Sequence, residues 1–366
     1  MFFGKGGMVL NIVCIGYLHG SGGAERQIVM LANEMNRRGH KVSLIVLAEN
    51  NVRYNVDNDI NVYDLTGCEH GSLKIIKRYF ALRKLLCTLR PDITINFWLQ
   101  SAYFSVAMPT DYTGKIIYSE RGDPGDKEYN GVLGIIRKIS FQYIDGFVFQ
   151  SNGARDYFDY AVRTRSIVIN NAVTDEVFLF SQPANLRKKK IVTVGRLSEQ
   201  KNQKLLLDAF SYISKDFPEY VLEIWGEGPL HKELLSRAVS LGIEDKVLFK
   251  GTSRNILHEI YDASVFVLSS NYEGMPNALM EAMCIGIPCV STDCRPGGAR
   301  EIIKNGIDGY IVPIENSLAL SQAIKIIIQD CNEQDKISKA GWENRKQFSG
   351  CTIYDRWENF FNQLFN

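Results

Sequence analysis

No stretch of this 366-residue chain approaches the roughly 20 consecutive apolar residues of a membrane-crossing helix, so it does not read as a transmembrane protein. Its eight cysteines are scattered, without the paired spacing of zinc sites, and several lie inside apolar runs. Reduced, mostly buried thiols in a cytosolic protein explain them best. The five histidines include no pair at helical ligand spacing, which argues against zinc. Neither sign of charge dominates: the formal net charge is +1, giving no whole-chain argument for nucleic acid. A dinucleotide fingerprint is also missing. Gly20-Ser21-Gly22-Gly23 follows an apolar run, but Arg26 stands where a further glycine would belong.

What remains is a soluble α/β pattern. Hydrophobic residues make up 45% and charged residues 23%, as in ordinary globular proteins, and the length suits two domains. The opening MFFGKGGMVLNIVCIGYL has only a short apolar run, contains Asn11 and ends in a glycine-rich loop. It reads as a first strand, Val9 to Tyr17, rather than a targeting segment. A helix from about Ala24 to Arg38 follows, with Ile28, Leu31, Ala32 and Met35 at helical spacing. Strand and helix then alternate through a strand at Ser166 to Asn170. Ser181 to Lys190 is polar and basic without periodicity, a candidate interdomain linker. The alternation restarts at Ile191, and from about Ser317 the chain reads as helical to its end. Repeated βα units imply two doubly wound parallel sheets. The expected domains are 1–180, 181–350, and a terminal helix, 351–366, that folds back on the first domain.

The densest chemistry lies between Val265 and Ser291. Two acids, Glu273 and Glu281, stand eight apart across a strand, loop and helix, with Pro276 at the expected first helical position. Glu273 falls at the carboxyl end of a strand, where open α/β sheets bind ligands. Helix N-termini there and at Gly22-Gly23 favour anions. Gly195-Arg196-Leu197-Ser198…Lys201-Asn202 follows the first strand of the second half. Its two cations five apart suit a diphosphate clamp or a solvated basic loop. The glycines of Trp225-Gly226-Glu227-Gly228-Pro229 let backbone approach a ligand, or simply make the turn. Asp57-Asn58-Asp59 has the form of a metal-binding D-x-D triplet but sits in an open polar connection and reads as a turn. Leu73 to Arg90 is basic and contains no acid, which suits either an anionic membrane surface or a helix with a basic outer face.

Together these motifs resemble glycosyltransferase family 4: Gly22-Gly23-Ala24-Glu25-Arg26, Gly195-Arg196…Lys201-Asn202, Gly226-Glu227-Gly228-Pro229, and Glu273-Gly274-Met275-Pro276…Glu281. They occur in the family's order and cover nearly the whole chain. The resemblance implies a GT-B fold, two Rossmann-like domains with the active site in the cleft. It also implies retaining transfer, without metal or other cofactor, from a nucleotide sugar, most plausibly UDP-linked. By motif, Arg196 and Lys201 would hold the diphosphate and stabilise the leaving group. Glu281 would accept from the ribose hydroxyls, and Glu273 would contact the donor sugar without acting as a covalent nucleophile. The backbone of Gly274, Met275, Pro276 and Asn277 would surround sugar and phosphate, with Gly226 nearby. Gly22 and Gly23 would close from the first domain. Many members carry a His after Ser-Glu at the end of a first-domain strand. Here Ser119-Glu120-Arg121-Gly122-Asp123-Pro124 puts Arg121 in that place, and Arg cannot serve as a base near neutral pH. Glu120, Arg121 and Asp123 thus become acceptor-side candidates.

This form, with Asp293-Cys294-Arg295-Pro296-Gly297-Gly298, resembles members that build bacterial surface polysaccharides and lipid-linked oligosaccharides. The acceptor would be such a glycan. The enzyme would be cytoplasmic, with peripheral contact at the inner face of the membrane through Leu73 to Arg90. Two alternatives stay open: a catalytically inactive nucleotide-binding partner of a transferase, and a GT-B-like sugar-nucleotide epimerase.

Overall fold

The computed structural model describes residues 8–18, 22–47, 54–66, 74–106, 114–126, 129, 131–181, 183 and 187–366. Gly20 and Ser21 of the first glycine loop, Leu73 at the start of the basic segment, and 182 and 184–186 in the expected linker lie outside them. The chain forms two compact units, Met1–Asn170 with Ile353–Asn366, and Asn171–Thr352.

The first unit is built on a seven-stranded sheet ordered β3-β2-β1-β4-β5-β6-β7. Its strands are β1 Asn11–Gly16, β2 Lys41–Val46, β3 Asn61–Asp64, β4 Ile93–Asn96, β5 Lys115–Ser119, β6 Gly146–Phe149 and β7 Ser166–Val168. All pairings are parallel, with Ile12 opposite Val42 on one side and Ile93 on the other. Ile12, Val13, Cys14 and Ile15 are all buried. That explains the unbroken apolar run: a parallel strand covered on both faces has no polar side to alternate with. Helices Lys74–Leu89, Leu99–Val106 and Val132–Ser140 follow one another on a single face. Leu82 and Leu86 of the first pack on Val13, Ile15, Ile45 and Leu47, with Phe104 of the second against the same cluster. The third continues into a 3-10 turn whose Phe141 packs on Tyr118, Phe147 and Phe149.

The terminal helix, Gly350–Phe365, buries Tyr354, Trp357, Phe360 and Phe361. Arg38 binds it through Asp355, at 2.7 Å, and Glu358, while His40 Nε2 lies 3.2 Å from Glu358. Arg356 donates to the Val168 carbonyl at the last strand. The polypeptide therefore closes on the unit where it began.

The second unit carries a six-stranded sheet ordered β10-β9-β8-β11-β12-β13. These strands are β8 Lys188–Val194, β9 Val221–Trp225, β10 Val247–Gly251, β11 Ala263–Leu268, β12 Cys289–Thr292 and β13 Tyr310–Val312, again parallel throughout. Each sheet reverses direction once, between β1 and β4 and between β8 and β11.

Three local expectations change. The division between units falls at Asn170/Asn171, ahead of the linker that composition suggests. Val173, Val177 and Phe180 are buried in the second unit's core, and the Phe180 carbonyl accepts from Arg345 at 2.6 Å. Lys188, Lys189 and Lys190 are strand rather than linker. Lys190 is buried but paired with Asp262 at 2.8 Å and Glu223 at 3.7 Å, so its charge is compensated inside the sheet. Pro276 lies one position before its helix, with extended backbone at ψ 98°, and the helix begins at Asn277. The Asp57-Asn58-Asp59 triplet is a turn, as its composition suggests. Asp57 is tied to helix Gly23–Arg37 through Arg37 at 3.2 Å and Asn33 at 3.0 Å.

Candidate active site

The reversal between β8 and β11 brings two carboxyl-end loops side by side, the place where an open α/β sheet offers a crevice. After β8 the chain runs through Gly195, Arg196 and Lys201 to Asn202, the N-cap of helix Gln203–Asp216. Asn202 adopts the left-handed conformation, φ 44°, and its side-chain oxygen accepts from Leu205 N at 3.2 Å. Its amide nitrogen meanwhile donates to Asn271 Oδ1 at 2.8 Å on the loop after β11. Three bonds to backbone carbonyls add to the splice. Asn271 N donates to Gln200 O at 2.8 Å, Gln200 Nε2 to Tyr272 O at 3.1 Å, and Ser269 Oγ to Lys201 O at 2.9 Å.

Within that frame Lys201 Nζ stands 2.5 Å from Glu273 Oε1, and Ser270 Oγ donates to the same oxygen at 2.7 Å. Glu273 is 6% exposed. An ion pair so far out of water survives only when hydrogen bonds satisfy its remaining capacity, as Ser270 does here. Arg196 is exposed on the same loop, its carbonyl held by Gln203 Nε2 at 2.9 Å.

The flanking glycines serve packing. Gly226 has φ 127°, and a Cβ there would fall 2.1 Å from the Gly195 carbonyl oxygen, so it seats the Arg196 loop. Gly195 N and Leu197 N donate to Trp225 O and Glu227 O at 2.9 and 3.0 Å. Gly298 does the same for the second loop: a Cβ would lie 2.1 Å from Gly274 O. Glu273 N is held by Arg295 O at 2.7 Å. Gly274 thus rests on the Cys294–Gly298 segment. Met275 Sδ receives Asn171 N at 3.1 Å, and Asn277 Oδ1 receives Asn171 Nδ2 at 2.7 Å. Glu281 is buried on helix Asn277–Cys284. Lys201 and Glu273 are therefore in direct contact; Arg196, Gly274, Met275, Pro276, Asn277 and Glu281 belong to the same pair of loops and the helix that follows, and Gly226, on the turn after β9, packs against the Arg196 loop.

The sequence reading missed Ser270, Asn271 and Asn171, and it named Asn202 and Gly298 only as motif members without a role. The polar run Ser269-Ser270-Asn271 directly after a buried strand was the available signal, since such residues bond to nearby backbone and to one another.

The remaining candidates belong to the first unit. Gly22 is the N-cap of helix Gly23–Arg37, and its N–H is taken by Glu25 Oε2 at 3.0 Å; Gly22 and Gly23 are both exposed. Glu120, at the end of β5, is buried and accepts from Tyr118 Oη at 2.7 Å and from the N–H groups of Arg121 and Gly122, both at 3.0 Å. Burial and the Glu120 charge hold the Tyr118 hydroxyl well above its ordinary value, so it stays a donor. The Arg121 guanidinium stacks on Phe97, 3.8 Å from the ring centroid, with Trp357 5.9 Å away. Desolvation lowers it to about 9, still charged at neutral pH. Asp123 caps its own turn, accepting from Gly125 N at 2.9 Å. Among the described residues, no three His, Cys, Asp or Glu side chains gather as metal ligands.

Two parallel doubly wound sheets, with a cation–carboxylate pair at the switch point of the second, are the architecture that the glycosyltransferase resemblance implies. Comparison with known proteins agrees. The model of glycosyl transferases group 1 matches residues 175–344, and that of glycosyltransferase family 4 matches residues 21–177. The chain belongs to this family and is a glycosyltransferase. It is 27% identical over 354 residues to a Campylobacter jejuni N-acetylgalactosaminyltransferase named for a diNAcBac-PP-undecaprenol acceptor, covering 94% of this chain and 96% of that one. It is 22% identical over 365 residues to the amylovoran biosynthesis glycosyltransferase AmsD of Erwinia amylovora, covering 96% and 99%. Among solved structures, Anabaena Alr3699/HepE in complex with UDP superposes with a TM-score of 0.81 at 17% identity, over 96% of this chain and all of that one. That likeness establishes the GT-B fold.

Proposed function

We propose that this glycosyltransferase moves a hexose or N-acetylhexosamine from a UDP-sugar to a polysaccharide or lipid-linked oligosaccharide, with retention at the anomeric carbon and without a metal. The Lys201–Glu273 pair beside Arg196 carries the reading. As the bond between sugar C1 and the diphosphate oxygen lengthens, negative charge collects on the leaving diphosphate. In this reading Lys201 and Arg196 are the cations that receive it, the work a divalent ion performs in other designs. The acceptor hydroxyl would attack C1 from the face the diphosphate is leaving. Its proton passes to a departing phosphate oxygen, so no protein base is required, in keeping with an Arg at position 121. Glu273, released from Lys201, would accept from the sugar hydroxyls, and Glu281 from the ribose. The helix N-terminus at Asn277 adds a positive dipole end.

The donor choice is supported by the fold neighbour solved with UDP, and the acceptor class by relatives named for undecaprenol-linked and exopolysaccharide substrates. A lipid-linked acceptor fits an enzyme at the cytoplasmic face of the membrane, with the acid-free helix Lys74–Leu89 as its basic contact. No helix among the described residues is long and apolar enough to cross the bilayer.

The test is transfer by purified protein from a panel of UDP-hexoses and UDP-N-acetylhexosamines in excess EDTA, with the product's anomeric configuration read by NMR. Retained configuration and undiminished EDTA-treated turnover are expected. Inversion, or loss of activity restored by a divalent ion, would refute the mechanism. UDP binding without turnover across the panel would favour the inactive partner instead.

A further inference from the structure

Helix Val132–Ser140 is inside out. Val132, Ile135, Ile136, Ile139 and then Tyr143 recur at the spacing of one helical stripe, which on a sheet-packing helix is the buried face. Here that stripe faces solvent: Val132 is 71% exposed, Ile135 61%, Ile139 53% and Tyr143 63%. Two polar positions, Arg137 and Ser140, turn inward. Arg137 donates to the Pro124 carbonyl at 2.9 Å and lies over the Tyr129 ring, and Ser140 is buried. The inversion is therefore held in place by specific contacts and is not a frayed segment. Contiguous apolar surface of this kind marks an interaction site.

Charge complementarity identifies what covers it. The helix carries no acid, and Lys138 beside the stripe is exposed. Tyr103 of helix Leu99–Val106 donates to the Leu133 carbonyl at 3.3 Å, and Phe104 of that helix lies 6.4 Å from the Tyr79 ring. Helix Lys74–Leu89 is thus a next-but-one neighbour on the same face of the sheet. It too has no acid, and it exposes Ile76 and Phe80 beside Lys77 and Lys84. Branched aliphatics flanked by lysines, with a tyrosine at the end, match the two layers of an anionic bilayer surface, acyl chains below phosphate headgroups.

We propose that Val132–Tyr143 is the element that inserts into an anionic membrane surface, with Lys77, Lys84 and Lys138 contacting the headgroups. The basic helix then supplies attraction and the inverted helix supplies depth. The proposal extends the lipid-linked acceptor reading, yet its test needs no turnover. A chain that docks but transfers nothing refutes the transferase reading alone, and one that transfers to a soluble glycan but never docks refutes this one alone.

The full chain is floated with phosphatidylcholine vesicles and with vesicles enriched in phosphatidylglycerol. Flotation with the anionic vesicles is expected, reduced about tenfold or more by Ile135→Glu with Ile139→Glu, at unchanged circular dichroism. Ile135→Ser with Ile139→Ser serves if the charged pair disturbs folding. Lys77→Gln, Lys84→Gln and Lys138→Gln together should remove the preference for anionic lipid and its salt sensitivity. The proposal is overturned if the wild-type chain fails to float, or if the isoleucine variants float equally well. It is also overturned if the wild type is a dimer that those variants convert to monomer, which would assign the stripe to a second copy.

Discussion

In the second unit the two switch-point loops are bonded to each other across the sheet, whereas the carboxylates of the first unit's candidate loops accept from groups within three positions along the chain. Lys201 reaches Glu273, Asn202 reaches Asn271, and Gln200 reaches Tyr272, each across the gap between β8 and β11. Glu120 instead bonds Tyr118, Arg121 and Gly122, Asp123 bonds Gly125, and Glu25 bonds Gly22. In the proposed reaction the Lys201–Glu273 bridge opens to the diphosphate, while the Asn202–Asn271 and Gln200–Tyr272 bonds keep the two loops together.

The sharpest way to break this contrast is to cut the bridge between the second unit's loops. Lys201→Ala should reduce turnover by about 100- to 1000-fold, the scale for removing one preorganised charge-stabilising donor. Glu273→Ala should fall in the same range, and Arg121→Ala should have a much smaller effect on hydrolysis of the donor by water. If Arg121→Ala is the more damaging, the assignment of roles to the two units is reversed. Trp357→Ala, in the terminal helix, tests the first unit separately. A buried Trp truncated to Ala costs about 3 to 5 kcal/mol, so thermal unfolding of the first unit should drop while UDP binding persists. Ser270→Ala should then lower turnover about tenfold, the value of one lost hydrogen bond to a charged group.

A smaller effect follows from the thiols. Burial pushes Cys14 and Cys294 up to about 12 from an ordinary 9.0, and Cys284 and Cys289 also upward. Between about pH 9 and 12 the unfolded chain would lose these protons while the folded chain keeps them, so stability falls as pH rises. Of these four, Cys284, Cys289 and Cys294 lie in the second unit and Cys14 in the first. Cys289→Ala should therefore flatten the alkaline pH dependence of the second unit's unfolding, followed by calorimetry. An unchanged slope would remove this contribution.

How much of this was legible beforehand depended on the distance over which the cause acts. Strands such as Val221–Trp225 and Tyr310–Val312 were readable because apolar runs between turn residues need no knowledge of partners. Glu273, Lys201 and Arg196 were readable as motifs. The pairing of Lys201 with Glu273 was not, because it depends on β8 and β11 becoming neighbours across 72 positions of sequence. Lys190 looked like linker because its compensating acids, Glu223 and Asp262, arrive from other strands and loops. Helix Val132–Ser140 shows the limit most plainly. The spacing of Val132, Ile135, Ile136 and Ile139 is that of an amphipathic helix, but periodicity says nothing about which face is covered. The exposure of that stripe and the inward bond of Arg137 to Pro124 reveal the inversion.

The central claim, that the spliced loops after β8 and β11 grip the leaving diphosphate, is tested most directly by titrating UDP into the wild-type protein and into Lys201→Ala by calorimetry. The account predicts that the substitution weakens UDP by about tenfold to 100-fold, the loss of one charge-assisted contact to phosphate, while uridine alone binds both proteins equally. Equal UDP affinity in the two proteins would contradict it.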